Sequence, residues 1–166
     1  MIYLKHETLC LTLYCMKIIL AADHAGFDLK EVIKRYLQEQ GREVEDMGAF
    51  SLDKQDDYPD FMIPAAYKVI EDPQENFGIF FGATGQGEAI AANKVKGIRA
   101  TVYYGGPLDL IHRSRSHNNA NVLSLGARFL TVEEATDAIL MWLATEFEGG
   151  RHERRVQKIT KFEQNH

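Results

Sequence analysis

The run Lys17-Ile18-Ile19-Leu20-Ala21-Ala22 is followed at once by Asp23-His24-Ala25-Gly26. A strand with one wet face alternates apolar and polar residues. This run does not, so it reads as a strand covered on both sides, the habit of parallel sheets. Leu29, Val32, Ile33, Tyr36 and Leu37 then recur at helical spacing, and Gly41 stops that helix. The same strand-then-helix order continues along the chain. Val44–Met47 is a weaker second strand. Pro59 opens a helix holding Phe61, Ile63, Ala66, Val69 and Ile70, whose first turn Pro64 is expected to distort. Phe77–Phe81 is a third strand, and Glu88–Lys94 a helix after a glycine-rich turn. Ile98–Tyr103 and Ala120–Leu125 are the fourth and fifth strands, with a helix from Pro107 to Ser116 between them. Thr131 and Glu134 are spaced as a capping box for a helix running to Phe147. Gly149 and Gly150 break the chain before a last charged helix, Arg151–Gln164.

This alternation predicts an α/β fold: a five-stranded parallel sheet between two layers of helices. Such sheets bind ligands beyond the carboxyl ends of their strands. That directs attention to Asp23-His24, Gly82–Gly87 and Arg128, which follow strands, and to His117-Asn118, just before the fifth.

The chain has 166 residues, 45% hydrophobic and 26% charged, the composition of one ordinary globular domain. Its net charge of −5 argues against general attraction to nucleic acid, so an anionic ligand needs a local cationic cluster. No apolar run approaches the ~20 residues of a membrane span. The cysteines, Cys10 and Cys15, both precede the first clear strand. No disulfide framework is indicated, and a reducing, cytoplasmic compartment is the simpler expectation. Residues 1–15 lack a basic leader region and a cleavage site. They are expected to form an extension outside the domain, which spans 16–166; a short extra strand or arm is the other reading.

The strongest local signal is Gly82-Ala83-Thr84-Gly85-Gln86-Gly87-Glu88. Such a turn can point several N–H groups into one concavity, and the following helix adds its positive end. An anion or a developing oxyanion can sit there. The order G-x-x-G-x-G is not the dinucleotide fingerprint, and the G-K-[ST] ending of a P-loop is absent. A merely tight turn remains open. Glu88 is either a favourable charge on a helix dipole or a general base beside an oxyanion seat. Asp23 could cap a helix or reach the crevice, and His24 could be a surface residue or a ligand. His117-Asn118-Asn119 could be turn chemistry or a proton-transfer site. In the last helix Arg151, Arg155 and Lys158 share a face, and Val156, Ile159 and Phe162 share another. That pattern suits a phosphate and a docking partner, or a solvated charged helix. The six histidines show no H-E-x-x-H or C-x-x-C spacing, so no metal site is expected.

Together, the runs Ala22–Gly26, Asp57-Tyr58-Pro59, Gly82–Lys94, Gly97–Ala100, Ser116–Asn121, Gly126-Ala127-Arg128 and Gly150-Arg151-His152-x-x-Arg155 resemble the type B ribose-5-phosphate isomerases. That family includes galactose-6-phosphate isomerases. The resemblance covers Met16–Asn165. It implies a Rossmann-like fold, a cofactor-free aldose–ketose isomerase, and a homodimer (or a tetramer) whose active site lies between subunits, with the last helix docking on the partner. One branch of the family uses a cysteine base at the position of Gly82. This chain is similar to the branch whose base maps to Glu88. By the same resemblance Thr84 and the N–H groups of Gly85, Gln86 and Gly87 hold the oxyanion. Asp23 and His117 open the sugar ring, Asn118 binds a hydroxyl and Tyr58 lines the sugar pocket. His24 of one subunit, with Arg128, Arg151, His152 and Arg155 of the other, binds phosphate. The implied substrate is ribose 5-phosphate. A galactose or allose 6-phosphate, or a sugar-phosphate-binding protein without catalysis, are the alternatives.

Overall fold

The computed structural model describes residues 16–166. The readings made for residues 1–15 and for both cysteines lie outside them. Five strands, β1 (Lys17–Ala22), β2 (Glu43–Asp46), β3 (Asn76–Gly82), β4 (Ala100–Tyr103) and β5 (Val122–Gly126), alternate with α1 (Phe27–Glu39), α2 (Pro59–Glu71), α3 (Gln86–Ala92), α4 (Asp109–Ser116) and α5 (Val132–Ala144). Helix α6 (Arg151–Gln164) closes the chain. All strand pairs are parallel, in the order β2-β1-β3-β5-β4. Among the described residues no helix is long and apolar enough to cross a membrane.

The expected three-layer αβα sandwich follows from β1. Ile18, Leu20 and Ala22 pack to one side with Ile33 of α1, Ile111 of α4 and Trp142 of α5. Ile19 and Ala21 pack to the other with Met62 and Val69 of α2 and Ala92 of α3. All five β1 residues from Ile18 to Ala22 are completely buried. At roughly 1.5–3 kcal/mol for each fully buried large aliphatic side chain, this strand cannot be exchanged for an alternating one. The capping box at Thr131 and Glu134 is formed.

Two local expectations are corrected. Helix α2 runs without a break through Pro64, because Pro64 lies on the exposed face, where the carbonyl left unpaired one turn back can meet water. Helix α5 ends at Ala144, short of Phe147. There the backbone of Thr145 turns extended, and its hydroxyl donates to the carbonyl of Met141 at 2.7 Å.

The chain passes from β1 outward to β2, then returns to β3 on the other side of β1. The junction between β1 and β3 is therefore the switch point of the sheet, where α/β folds open a crevice.

Candidate active site

Two segments straddle that crevice. Asp23-His24 leaves β1, and the turn Gly82–Gly87 leaves β3. Gly26 lets α1 start close against β3, since a Cβ there would meet backbone atoms of Phe81. Asp23 Oδ1 accepts the N–H groups of Ala25 at 3.0 Å and Gly26 at 3.1 Å. Asp23 thus braces the loop ahead of α1 and does not cap the helix itself, and its second oxygen takes no part in either bond.

Gly85 has φ 77°, a left-handed conformation that suits glycine. Its carbonyl is held by the Ser124 hydroxyl of β5 at 2.7 Å. These two features aim the turn. Thr84 Oγ1 accepts the Gln86 N–H at 3.2 Å. That bond closes the turn on itself ahead of α3. The Tyr58 ring lies over Gly87, where an added Cβ would stand 2.9 Å from it.

Glu88, in the first turn of α3, is only 4% exposed. Its carboxylate occupies the space above Gly82. Burial pushes its pKa above the usual glutamate value; its own N–H opposes that, and the negative charge of Asp23 adds to it. The sequence set the helix dipole against burial, and burial prevails. A carboxyl of raised pKa beside an amide-lined turn can take a proton from carbon and return it, while the turn holds the oxygen that becomes negative.

His24 is braced by a residue that sequence reasoning missed. Asp56, in the loop after β2, accepts the His24 N–H at 3.0 Å and meets its ring Nδ1 at 2.6 Å. An aspartate two positions before Tyr58 carried no local signal. The charge of Arg128 acts on His24 within the same chain. The turn that carries Arg128 is tied to the glycine-rich turn by the Arg128 N–H, which donates to the Ala83 carbonyl at 3.2 Å.

A second group lies elsewhere. His117 caps the end of α4, and Arg115 anchors the turn that follows it, donating to Ala120 O at 2.6 Å and Asn119 Oδ1 at 3.0 Å. The His117 and His152 rings stack 4.1 Å apart and 8° from parallel. Glu148, also missed, stands 3.8 Å from each of them. Asn118, Arg99 and Arg155 line the same cleft of about 590 Å³, and Arg151 donates to His152 Nε2 at 3.2 Å. His152 is buried. Burial and the positive charges around it hold its pKa below the ordinary histidine value, with Glu148 opposing. The His152 ring packs flat against His117, with Arg151 donating to its Nε2.

Asp23-His24-Asp56 and His117-Glu148-His152 each bring possible metal-ligating atoms within 4.8 Å. The first is closed by the Asp56–His24 hydrogen bond. In the second, imidazole lone pairs lie in ring planes that are nearly parallel and do not converge on one point.

The two groups occupy opposite ends of the sheet. β3 and β5 are parallel and in register from Gly78 with Val122 to Gly82 with Gly126. Glu88 follows the carboxyl end of β3, whereas His117 precedes the amino end of β5. At about 3.3 Å per residue the ends are separated by on the order of 15 Å. One chain does not bring Glu88 and His117 together.

The fold and the turn define an α/β protein with a buried carboxylate and an amide-lined seat at its switch point. The model of the family described as Ribose/Galactose Isomerase matches residues 18–159. The "Ribose-5-phosphate isomerase B" of Mycolicibacterium paratuberculosis is 40% identical over 152 residues, covering 91% of this chain and 94% of that one. A crystal structure of ribose-5-phosphate isomerase B from Mycoplasma genitalium with bound ribulose-5-phosphate is 39% identical, with TM-score 0.87, over 91% of this chain and 98% of that one. The Clostridium thermocellum enzyme is 42% identical, with TM-score 0.84, over 90% and 99%. The chain belongs to the Ribose/Galactose Isomerase family.

Proposed function

We propose that this chain interconverts ribose 5-phosphate and ribulose 5-phosphate, working in the cytoplasm as a homodimer. The observation that carries the reading is the buried Glu88 carboxylate set over Gly82 beside the Gly85–Gly87 turn. Glu88 takes the proton from C2 of the open-chain aldose. The C2–H electron pair forms the C1–C2 double bond of a cis-enediolate, and the carbonyl oxygen at C1 becomes negative. Thr84 and the N–H groups of Gly85, Gln86 and Gly87 stabilise that oxygen. Glu88 then returns the proton to C1 while the C2 hydroxyl proton passes to the C1 oxygen and the C2 oxygen becomes the carbonyl, so no net proton or electron is exchanged.

The rest of the site comes from a second copy. Asp23 with the partner copy's equivalent of His117 opens the sugar ring, Asn118 of that copy binds a hydroxyl, and Tyr58 walls the pocket. His24 and Arg128 of one copy, with Arg151, His152 and Arg155 of the other, bind the phosphate. The separation of the two groups along the sheet supports this division. So does α6, which leaves Ile159 51% and Phe162 63% exposed as an apolar stripe suited to docking.

The test is conversion of ribose 5-phosphate, with and without chelator, by wild type and Glu88→Gln. Turnover that survives chelator and collapses in the variant is expected. Equal turnover in both proteins would remove Glu88 from its role. Turnover confined to six-carbon aldose phosphates would move the substrate within the family.

A further inference from the structure

Asp56 gives both of its His24 contacts through a single oxygen. Oδ1 accepts the backbone N–H at 3.0 Å and faces Nδ1 at 2.6 Å. Oδ2 is buried with no hydrogen-bond partner, and the Asp56 side chain is 9% exposed. Buried polar atoms are normally paired. Folding alone does not explain a carboxylate kept here, 32 residues from the histidine it holds.

A ring nitrogen tied to a carboxylate fixes which way an imidazole faces and which nitrogen it presents. With Nδ1 turned to Asp56, Nε2 is the atom left for a ligand. Resting on the reading of His24 as a phosphate ligand, we infer that Asp56 is a positioning residue: it locks the His24 ring with Nδ1–H on its own carboxylate and Nε2–H offered to the substrate's phosphate. The site thereby gains a preference for the phosphate dianion.

The charges around the ring agree. The hydrogen bond to Asp56 raises the pKa of His24 against the cost of burial. The charges of Asp23, whose Oδ2 stands 4.0 Å from Nδ1, and of Asp56 raise it further, and Arg128 opposes them. The net direction is upward. A sugar phosphate loses its second proton near pH 6. A cationic His24 and a dianionic substrate therefore coexist between that pH and the raised pKa of His24.

The experiment combines NMR titration of ¹³C-labelled histidine, with His24 assigned through His24→Gln, and KM measured against pH. In wild type His24 is expected to titrate above about 6.5, the ordinary histidine value. In Asp56→Asn, which keeps an acceptor for the His24 N–H, the midpoint falls. A fall of one pH unit raises KM for ribose 5-phosphate up to about tenfold between the two midpoints. The gap closes toward pH 5.5 while kcat changes little. A wild-type midpoint at or below about 6.5 overturns the inference, even if the variant does not fold. An unchanged KM–pH curve in a folded Asp56→Asn also overturns it, whatever its melting temperature. If wild type converts no aldose phosphate, the functional reading has failed. Inorganic phosphate then decides the inference: a phosphate-induced shift of the His24 resonance, lost in Asp56→Asn, supports it, and no shift in wild type overturns it.

Discussion

The carboxylate of Glu88 stands where a side chain at Gly82 would have to be: a Cβ built on Gly82 lands on the carboxyl atoms of Glu88. The constraint is one of space, since the conformation of Gly82 is not left-handed. On the proposed reading, the cysteine base that the resemblance implies at position 82 in one family branch and Glu88 in this chain reach one point from two places in the sequence. Gly82→Ala is expected to displace the carboxylate and lower kcat by at least about a hundredfold, the cost of roughly an ångström of misplacement. Steady-state kinetics on variant protein with an unchanged circular dichroism spectrum checks it.

Glu88→Gln should trade activity for stability. The folded chain holds the Glu88 proton more tightly than the unfolded chain does. Stability from this group is therefore present at low pH and lost as pH rises through the folded pKa. The amide removes that loss. Turnover should fall about 10²–10⁴-fold, while the variant gains about 1 kcal/mol at pH 7–8. The gain should vanish at pH 4, below the ordinary value of 4.5. Thermal melts at the two pH values give the answer.

Lys30 is completely buried and bonded to both oxygens of Asp46 at 2.7 Å. Burial alone would raise the pKa of Asp46, yet Lys30, Lys34 and the Gly48 N–H hold it below the ordinary value. Asp46→Asn leaves the buried ammonium with Glu31, at 2.9 Å, as its remaining carboxylate partner and should cost on the order of 3 kcal/mol, read from urea unfolding. The loop after β2 carries Asp56 and Tyr58, so residual activity in that variant should show a raised KM.

Shared sites can be tested by mixing. Glu88→Gln and His117→Asn each lack one half of the proposed site. Co-refolded in equal amounts, half of the dimers pair one of each, and one of their two sites is whole. Activity should recover to about a quarter of wild type, as two-fold symmetry requires. No recovery would place both residues in one copy's site.

Much of this was legible because it is written locally. The unbroken run Lys17–Ala22, the Thr131–Glu134 spacing and the glycines before Arg151 gave β1, the start of α5 and the start of α6. Boundaries failed where tertiary contacts decide. Ile98 reads as strand but packs among Met62, Ala92 and Val95 before β4 begins at Ala100. The residues of the glycine turn were legible, whereas their partners were not. Asp56 with His24, Glu148 with His117 and Lys30 with Asp46 are each far apart in sequence or carry no periodic signal, and only the closed sheet brings them together. The resemblance supplied roles; the structure adds the charge of Arg128 acting on His24 and the His152 ring stacked on His117.

The separation of Glu88 and His117 along the sheet has a further consequence. On the proposed reading, a solitary chain holds every needed residue and no complete site. Dilution then acts as an inhibitor, and newly made chains stay silent until they meet. The dissociation constant of the pair sets a threshold concentration for catalysis, so weakening the α6 stripe at Ile159 or Phe162 would switch the enzyme off without touching a residue that meets the sugar.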